Sequence, residues 1–164
     1  MSRAFVKEDR PDTDPLPDLP VSPHPNWVTA RGLAELKARL AAAQAELARS
    51  RVRADRLDRL PEKAAERDIR YLEARLASAL PVDPAAQPRD EVAFGAHVTV
   101  ADESGRERCY EIVGEDEADA ARGLIAPQAP LARALLGARV GDTVDWRKPS
   151  GDEALDILAI RYPE

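Results

Sequence analysis

From Leu33 onward a small or apolar residue returns at every third or fourth position: Leu33, Leu36, Leu40, Ala43, Leu47, Ser50, Ala54 and Leu57. Alternating steps of three and four keep one narrow stripe on one side of an α-helix, the seam of a two-stranded coil. Thr29 stands where an N-cap hydroxyl would accept a first-turn amide. The predicted helix runs from about Thr29 to Leu57, about 40 Å at the helical rise. Leu60-Pro61-Glu62 interrupts it, because proline suits a first helical turn and disfavours helix in the residue before it. A second seam follows at Ala65, Ile69, Leu72, Leu76 and Ala79, and Pro81 ends it. Two seams joined by a short turn predict an antiparallel α-helical coiled-coil hairpin.

The flanks have other rules. Pro11, Pro15, Pro17, Pro20, Pro23 and Pro25 crowd the start of the chain. Each fixes φ and lacks an amide donor, so an extended arm is expected, either solvated or docked through Phe5 or Trp27. From Val92 the period changes to two, through Phe94, Ala96, Val98 and Val100, which predicts a strand. Asp102-Glu103-Ser104-Gly105 reads as a turn and 109–114 as the returning strand. Leu124-Ile125 reads as a short strand, 129–136 as a helix ended by Gly137, and Thr143 to Trp146 as another strand. The last strand carries Leu155, Ile157 and Ala159. The expected class is α+β: proline-rich arm 1–27, hairpin 28–80, linker 81–89, and an antiparallel β-sheet domain with one helix over 90–164.

Charge narrows the function classes. The net charge is -6. It divides unevenly, with the middle third basic and the last half strongly acidic. A general duplex-DNA binder wants a broad positive surface, so sequence-specific DNA binding is not expected. No apolar run approaches the ~20 residues of a membrane-spanning helix, and no secretory leader is expected. One cysteine, Cys109, permits no internal disulfide, and a reducing cytoplasm is the simplest compartment. No phosphate-binding loop, dinucleotide fingerprint or serine elbow is present.

The second half carries a resemblance. Phe94-Gly95-Ala96-x-Val98, Tyr110-x-Ile112-Val113-Gly114-x-Asp116-Glu117, Pro130-Leu131-Ala132-Arg133-Ala134-Leu135-Leu136 and Val140-Gly141-Asp142-x-Val144 resemble the Gre (GreA/GreB) transcription elongation factors in order and approximate spacing. Thr29 to Leu40 and Glu66 to Asp83 resemble parts of that family's two helices. The resemblance implies an FKBP-like C-terminal domain docking on RNA polymerase core at the mouth of the secondary channel, with the hairpin pointing down the channel. It implies Asp116, Glu117, Pro130, Leu131 and Arg133 as polymerase-binding candidates. FKBP-like names a shape, and prolyl isomerase activity does not follow from it.

The tip departs from the family. Cleavage-stimulating members carry Asp-Leu-Ser-Glu-Asn-Ala there, whose carboxylates help hold a Mg²⁺ ion in the polymerase active site. This chain reads Asp58-Arg59-Leu60-Pro61-Glu62-Lys63-Ala64. Glu62 matches the family's glutamate, Arg59 stands at the aspartate, and Asp58 is one residue, about 100° of helix, away. The second helix also reads about ten residues short, roughly 15 Å of reach. Asp58 and Glu62 are the tip candidates, and Mg²⁺ enters only if they converge; no cofactor or metal of the chain's own is expected. Instead Arg49, Arg51, Arg53, Arg56 and Arg59 form a basic run suited to an acidic channel wall or to indirect contact with nascent RNA, or simply to a solvated face. Three functions stay open: a monomeric secondary-channel regulator that is not itself an enzyme, a true cleavage factor lending Asp58 and Glu62, and a coiled-coil adaptor that oligomerises.

Two further candidates are weaker. The acidic run from Glu115 to Asp119 lacks the spacing of a calcium loop and reads as a solvated loop. Cys109 reads as an inward-facing strand residue without a histidine near it in sequence, hence core rather than nucleophile.

Overall fold

The computed structural model describes residues 14–53 and 58–163. Phe5 and Pro11 in the arm, and Ala54, Asp55, Arg56 and Leu57 near the tip, lie outside the described residues. After the arm come strand β1 (Trp27–Val28), helix α1 (Ala30–Val52), helix α2 (Leu60–Ser78) and strand β2 (Leu80–Pro81). Strands β3 (His97–Asp102), β4 (Glu107–Ile112) and β5 (Leu124–Ile125), helix α3 (Pro130–Leu135), and strands β6 (Thr143–Trp146) and β7 (Glu153–Arg161) complete the chain.

Both helices start as their sequences dictate. Thr29 caps α1, its hydroxyl accepting the Gly32 amide at 2.9 Å. Pro61 lies in the first turn of α2. The pair runs antiparallel. Near the turn Arg51 reaches Glu62 and Glu66, while at the other end Leu36 and Leu72 are buried with Val28. Leu33, Leu40, Ala43, Leu76 and Ala79 flank that cluster, which is the expected seam. Helix α1 stops earlier than its periodicity suggests. Val52 is its last residue and Arg53 is extended, so the helix is about 34 Å long.

The five-stranded sheet has the order β5-β4-β3-β7-β6. It is mixed rather than antiparallel, because β5 pairs parallel with β4, Glu111 opposite Leu124. The 3-10 turns between Gly114 and Gly123 carry the chain around so that β5 approaches β4 in the same direction. A second, two-stranded sheet pairs β1 with β2, also parallel, and ties the base of the hairpin together. The core lies between the large sheet and α3, with Val98, Val100, Ile112, Ala132, Leu135, Leu155 and Ile157 almost wholly enclosed.

Three strand expectations need correction. Val92, Phe94 and Ala96 are buried as expected, but β3 begins only at His97. Gly95, at φ +85°, turns the preceding segment back over the sheet, and glycine adopts that conformation without the Cβ clash. In β7 the register slips between Thr99 and Val100, whose partners are Ala159 and Ile157. Leu158 is therefore the extra residue of a bulge and is exposed, and the inward phase resumes at Ile160 rather than Ala159. Cys109 is exposed, not inward, because Tyr110 and Ile112 set the inward phase of β4.

Candidate functional site

The acidic run is not a solvated loop. Glu115–Glu117 forms a tight 3-10 turn against the base of the hairpin, and the Asp116 and Glu117 side chains are 9% and 3% exposed. Buried carboxylates need partners, and the hairpin supplies them. Arg75, on α2 and almost fully enclosed, donates from Nε to Asp116 at 2.6 Å and from Nη2 to Asn26 Oδ1 at 2.7 Å, and pairs with Glu115 at 3.4 Å. Asn26 returns a bond from Nδ2 to the Arg75 carbonyl at 2.8 Å. The Tyr71 hydroxyl donates to Asp116 at 2.6 Å.

A second set lies on the α1 side. The Thr29 hydroxyl, already the helix cap, donates to Glu117 at 2.7 Å. Arg31 donates to Glu117 at 3.1 Å and pairs with Glu111 on β4 at 3.0 Å. Two glycines make room. A Cβ on Gly32 would lie 2.2 Å from the Glu117 carboxylate, and one on Gly114 would lie 2.6 Å from the Trp27 carbonyl. Gly114 has φ -64°, an ordinary value, so close approach rather than backbone conformation calls for glycine there. These contacts clamp hairpin and sheet domain together through a dense polar network.

The clamp changes how its members titrate. Burial, reinforced by the bond to Asp116, pushes the Tyr71 hydroxyl up to about 12. Burial alone would lower Arg31, but the hydrogen bond and charge of Glu111 and the charge of Glu117 raise it overall. A phenol held above its ordinary value binds its proton more tightly in the folded protein. Its contribution is full below pH 10 and is lost as the pH climbs from 10 to about 12. Tyr71→Phe is expected to lose about 1–2 kcal/mol of stability at pH 8. The gap to the parent should close above pH 10, as read by urea unfolding of both proteins across that range.

Around the tip, Glu62 lies 3.8 Å from Arg51 and 3.6 Å from Arg59. Asp58 accepts the Leu60 amide at 3.0 Å, a local side-chain turn just ahead of α2. One carboxylate is held among guanidinium groups and the other is turned to backbone. The cationic neighbours of Glu62 oppose a second cation at that carboxylate. Of the arginine run, Arg49 pairs with Glu46 at 2.7 Å, Arg51 with Glu66 at 3.2 Å, and Arg53 is exposed. Arg56 lies outside the described residues. Among the described residues no group of three or more histidine, cysteine or acidic side chains is placed to hold a metal. No helix among them is long and apolar enough to cross a membrane.

The remaining candidates divide by exposure. Leu131 is core at 4% exposed, whereas Pro130 at the start of α3 and Arg133 one turn later face solvent. Leu136, at the end of the same helix, adds exposed apolar surface. The clamp residues Asn26, Arg31, Tyr71 and Arg75 were not singled out by the sequence. A charged residue beside an apolar seam reads as a solvated flank, and only the acidic run opposite it would have hinted otherwise.

The domain that receives the hairpin has known relatives. Residues 87–162 match the model described as "Transcription elongation factor, GreA/GreB, C-term". Through this domain the chain is similar to the GreA/GreB transcription elongation factors. Over 96 residues, 57% of this chain, it is 45% identical to a transcription elongation factor GreA of Alkalilimnicola ehrlichii. Over 98 residues it is 44% identical to a transcription elongation factor GreB of Neisseria meningitidis. These matches span 61% and 60% of the relatives' lengths, so the chain covers about three fifths of each. Among solved structures, a GreA/GreB factor from Nitrosomonas europaea is similar at 26% identity, covering 84% of this chain and 99% of that one, with a TM-score of 0.42. The Gfh1 protein of Thermus thermophilus is similar at 24% identity over 84% of this chain and 99% of its own, with a TM-score of 0.39. The Gre-type match thus rests on the sheet domain, including the Asp116-Glu117 turn and the Pro130–Leu135 helix.

Proposed function

We propose that this chain is an RNA-polymerase-binding elongation regulator that occupies the secondary channel without strongly stimulating transcript cleavage. In this reading the sheet domain has the FKBP-like shape of Gre factors and docks at the channel mouth. The hairpin is a coiled coil that enters the channel, and the protein acts as a monomer in the cytoplasm. Pro130, Arg133 and Leu136 form the exposed docking surface. Leu131 supports it from the core, and Asp116 and Glu117 position the hairpin rather than touch the polymerase. The protein is not an enzyme by itself and carries no cofactor. The arginines at the distal hairpin meet an acidic channel wall, with nascent RNA as an indirect contact.

The observation that carries the reading is the tip. A Gre-type sheet domain supports polymerase binding, and the Arg51 and Arg59 guanidinium groups near Glu62 oppose lending that carboxylate to a metal ion. The test is transcript cleavage in a purified backtracked elongation complex, run beside a binding assay with core polymerase. Binding with cleavage near the polymerase's own rate is expected. Strong stimulated cleavage that disappears in Glu62→Ala would instead establish a true cleavage factor. A stable dimer without polymerase binding would establish the oligomerising adaptor.

A further inference from the structure

The arm ahead of the hairpin lies outside the matched domain, yet its described part contacts both the hairpin and the sheet domain. From Asn26 at the hairpin base it runs back along α2. Ser22 donates to Glu115 of the sheet domain at 2.9 Å. Leu19 lines a hollow together with Ala43, Tyr71 and Leu72 of the hairpin. Asp18 accepts from Arg70 Nε at 2.6 Å, and the Leu16 carbonyl accepts from the same guanidinium at 3.0 Å. One extended segment therefore touches both halves of the molecule. Proline suits it to that work, because Pro17, Pro20, Pro23 and Pro25 hold the backbone extended and lower the entropy lost on docking.

We propose that residues 14–26 are a releasable brace that sets the tilt of the hairpin on the sheet domain. The clamp at Tyr71, Arg75 and Glu117 holds the hairpin at its base through the face of α2 that Tyr71 and Arg75 share, and an attachment on one face leaves a pivot. Arg70 is next to the clamp residue Tyr71 but about 100° around α2 from it, on a side of the helix away from Tyr71 and Arg75. An attachment there, carried back through Ser22 to Glu115, resists rotation about the base. The brace is releasable because its outer contacts are individually weak. Asp18 and Arg70 are 74% and 40% exposed, and exposed pairs of this kind add little stability and are screened by salt. Ser22 is the natural release point. A negative charge placed there would face Glu115, with Asp116 next in the chain, and would repel the arm from the sheet domain.

The experiment uses the full chain with Cys109→Ser and spin labels on cysteines placed at Arg53 and Arg147, both exposed, one on the distal hairpin and one on the sheet domain. The brace is released in two independent ways, by Ser22→Asp and by the pair Asp18→Ala with Leu19→Ser. Ser22→Asp removes no packed apolar group, and helical circular dichroism at 222 nm checks that α1 and α2 stay folded. The expected result is a single narrow distance distribution in the parent that broadens about twofold or more in both variants, with helicity unchanged. Distributions as narrow as the parent's in both variants would overturn the proposal and leave the clamp as the sole determinant of tilt.

Discussion

Arg75→Met is expected to lower the unfolding free energy by about 3–5 kcal/mol, the usual cost of breaking a buried ion pair from one side. Arg75 is 1% exposed and holds Asp116 at 2.6 Å, Asn26 at 2.7 Å and Glu115 at 3.4 Å. Methionine fills much of the same volume, so the loss comes from charge and hydrogen bonds rather than from a void. What remains is Asp116 enclosed with only the Tyr71 hydroxyl, and Asn26 without its acceptor role. In a chain of this length each kcal/mol moves Tm by about 2–4 °C, so a fall of roughly 10 °C is expected. Combining Arg75→Met with Asp116→Asn should cost less than the sum of the two single changes, because the orphaned charge goes with its partner. Urea unfolding of the two single variants and the double variant measures the difference. Additive losses would mean that Arg75 acts through packing alone.

Leu135→Ala is expected to cost about 2–5 kcal/mol by a different route. Leu135 is fully enclosed on α3 and packs with Leu131, Ala132 and the inner face of the sheet. Truncation removes apolar contact and leaves a cavity between α3 and the sheet. The two variants should differ in where they fail. Amide exchange in Leu135→Ala should accelerate across β3, β4 and β7. In Arg75→Met it should accelerate at the hairpin base and the Glu115–Glu117 turn. Uniform acceleration in both would show that hairpin and sheet domain unfold as one unit.

Much of the architecture was legible because it rests on short-range rules. The three-four spacing from Leu33 to Ala43, the Thr29 cap, Pro61 in the first turn of α2 and the Asp102–Gly105 turn each declare themselves within a few residues, and all stand in the structure. The parallel β4–β5 pair was not legible, since strand direction depends on how the 3-10 turns carry the chain around. Nor was the bulge at Leu158, which shifts the inward phase without leaving a mark in composition. The clamp was hidden for a related reason. Arg75 and Asp116 are 41 residues apart, and a charge gains its meaning only from what it meets. The tip was half legible. Arg59 in place of an aspartate could be read directly, but the enclosure of Glu62 by two arginines needed the return of α2 alongside α1.

In the proposed function the hairpin tip of this chain enters the polymerase secondary channel. A tethered iron chelate at Arg59→Cys tests it most directly, in a Cys109→Ser background because Cys109 is exposed and would also react. Radicals from the chelate cut only chains close to it. In a complex with core polymerase and nascent RNA, cuts are predicted in the polymerase segments lining the channel toward the active site and near the RNA 3′ end. Cuts confined to the outer surface of a complex that has demonstrably formed would mean that the hairpin does not enter the channel.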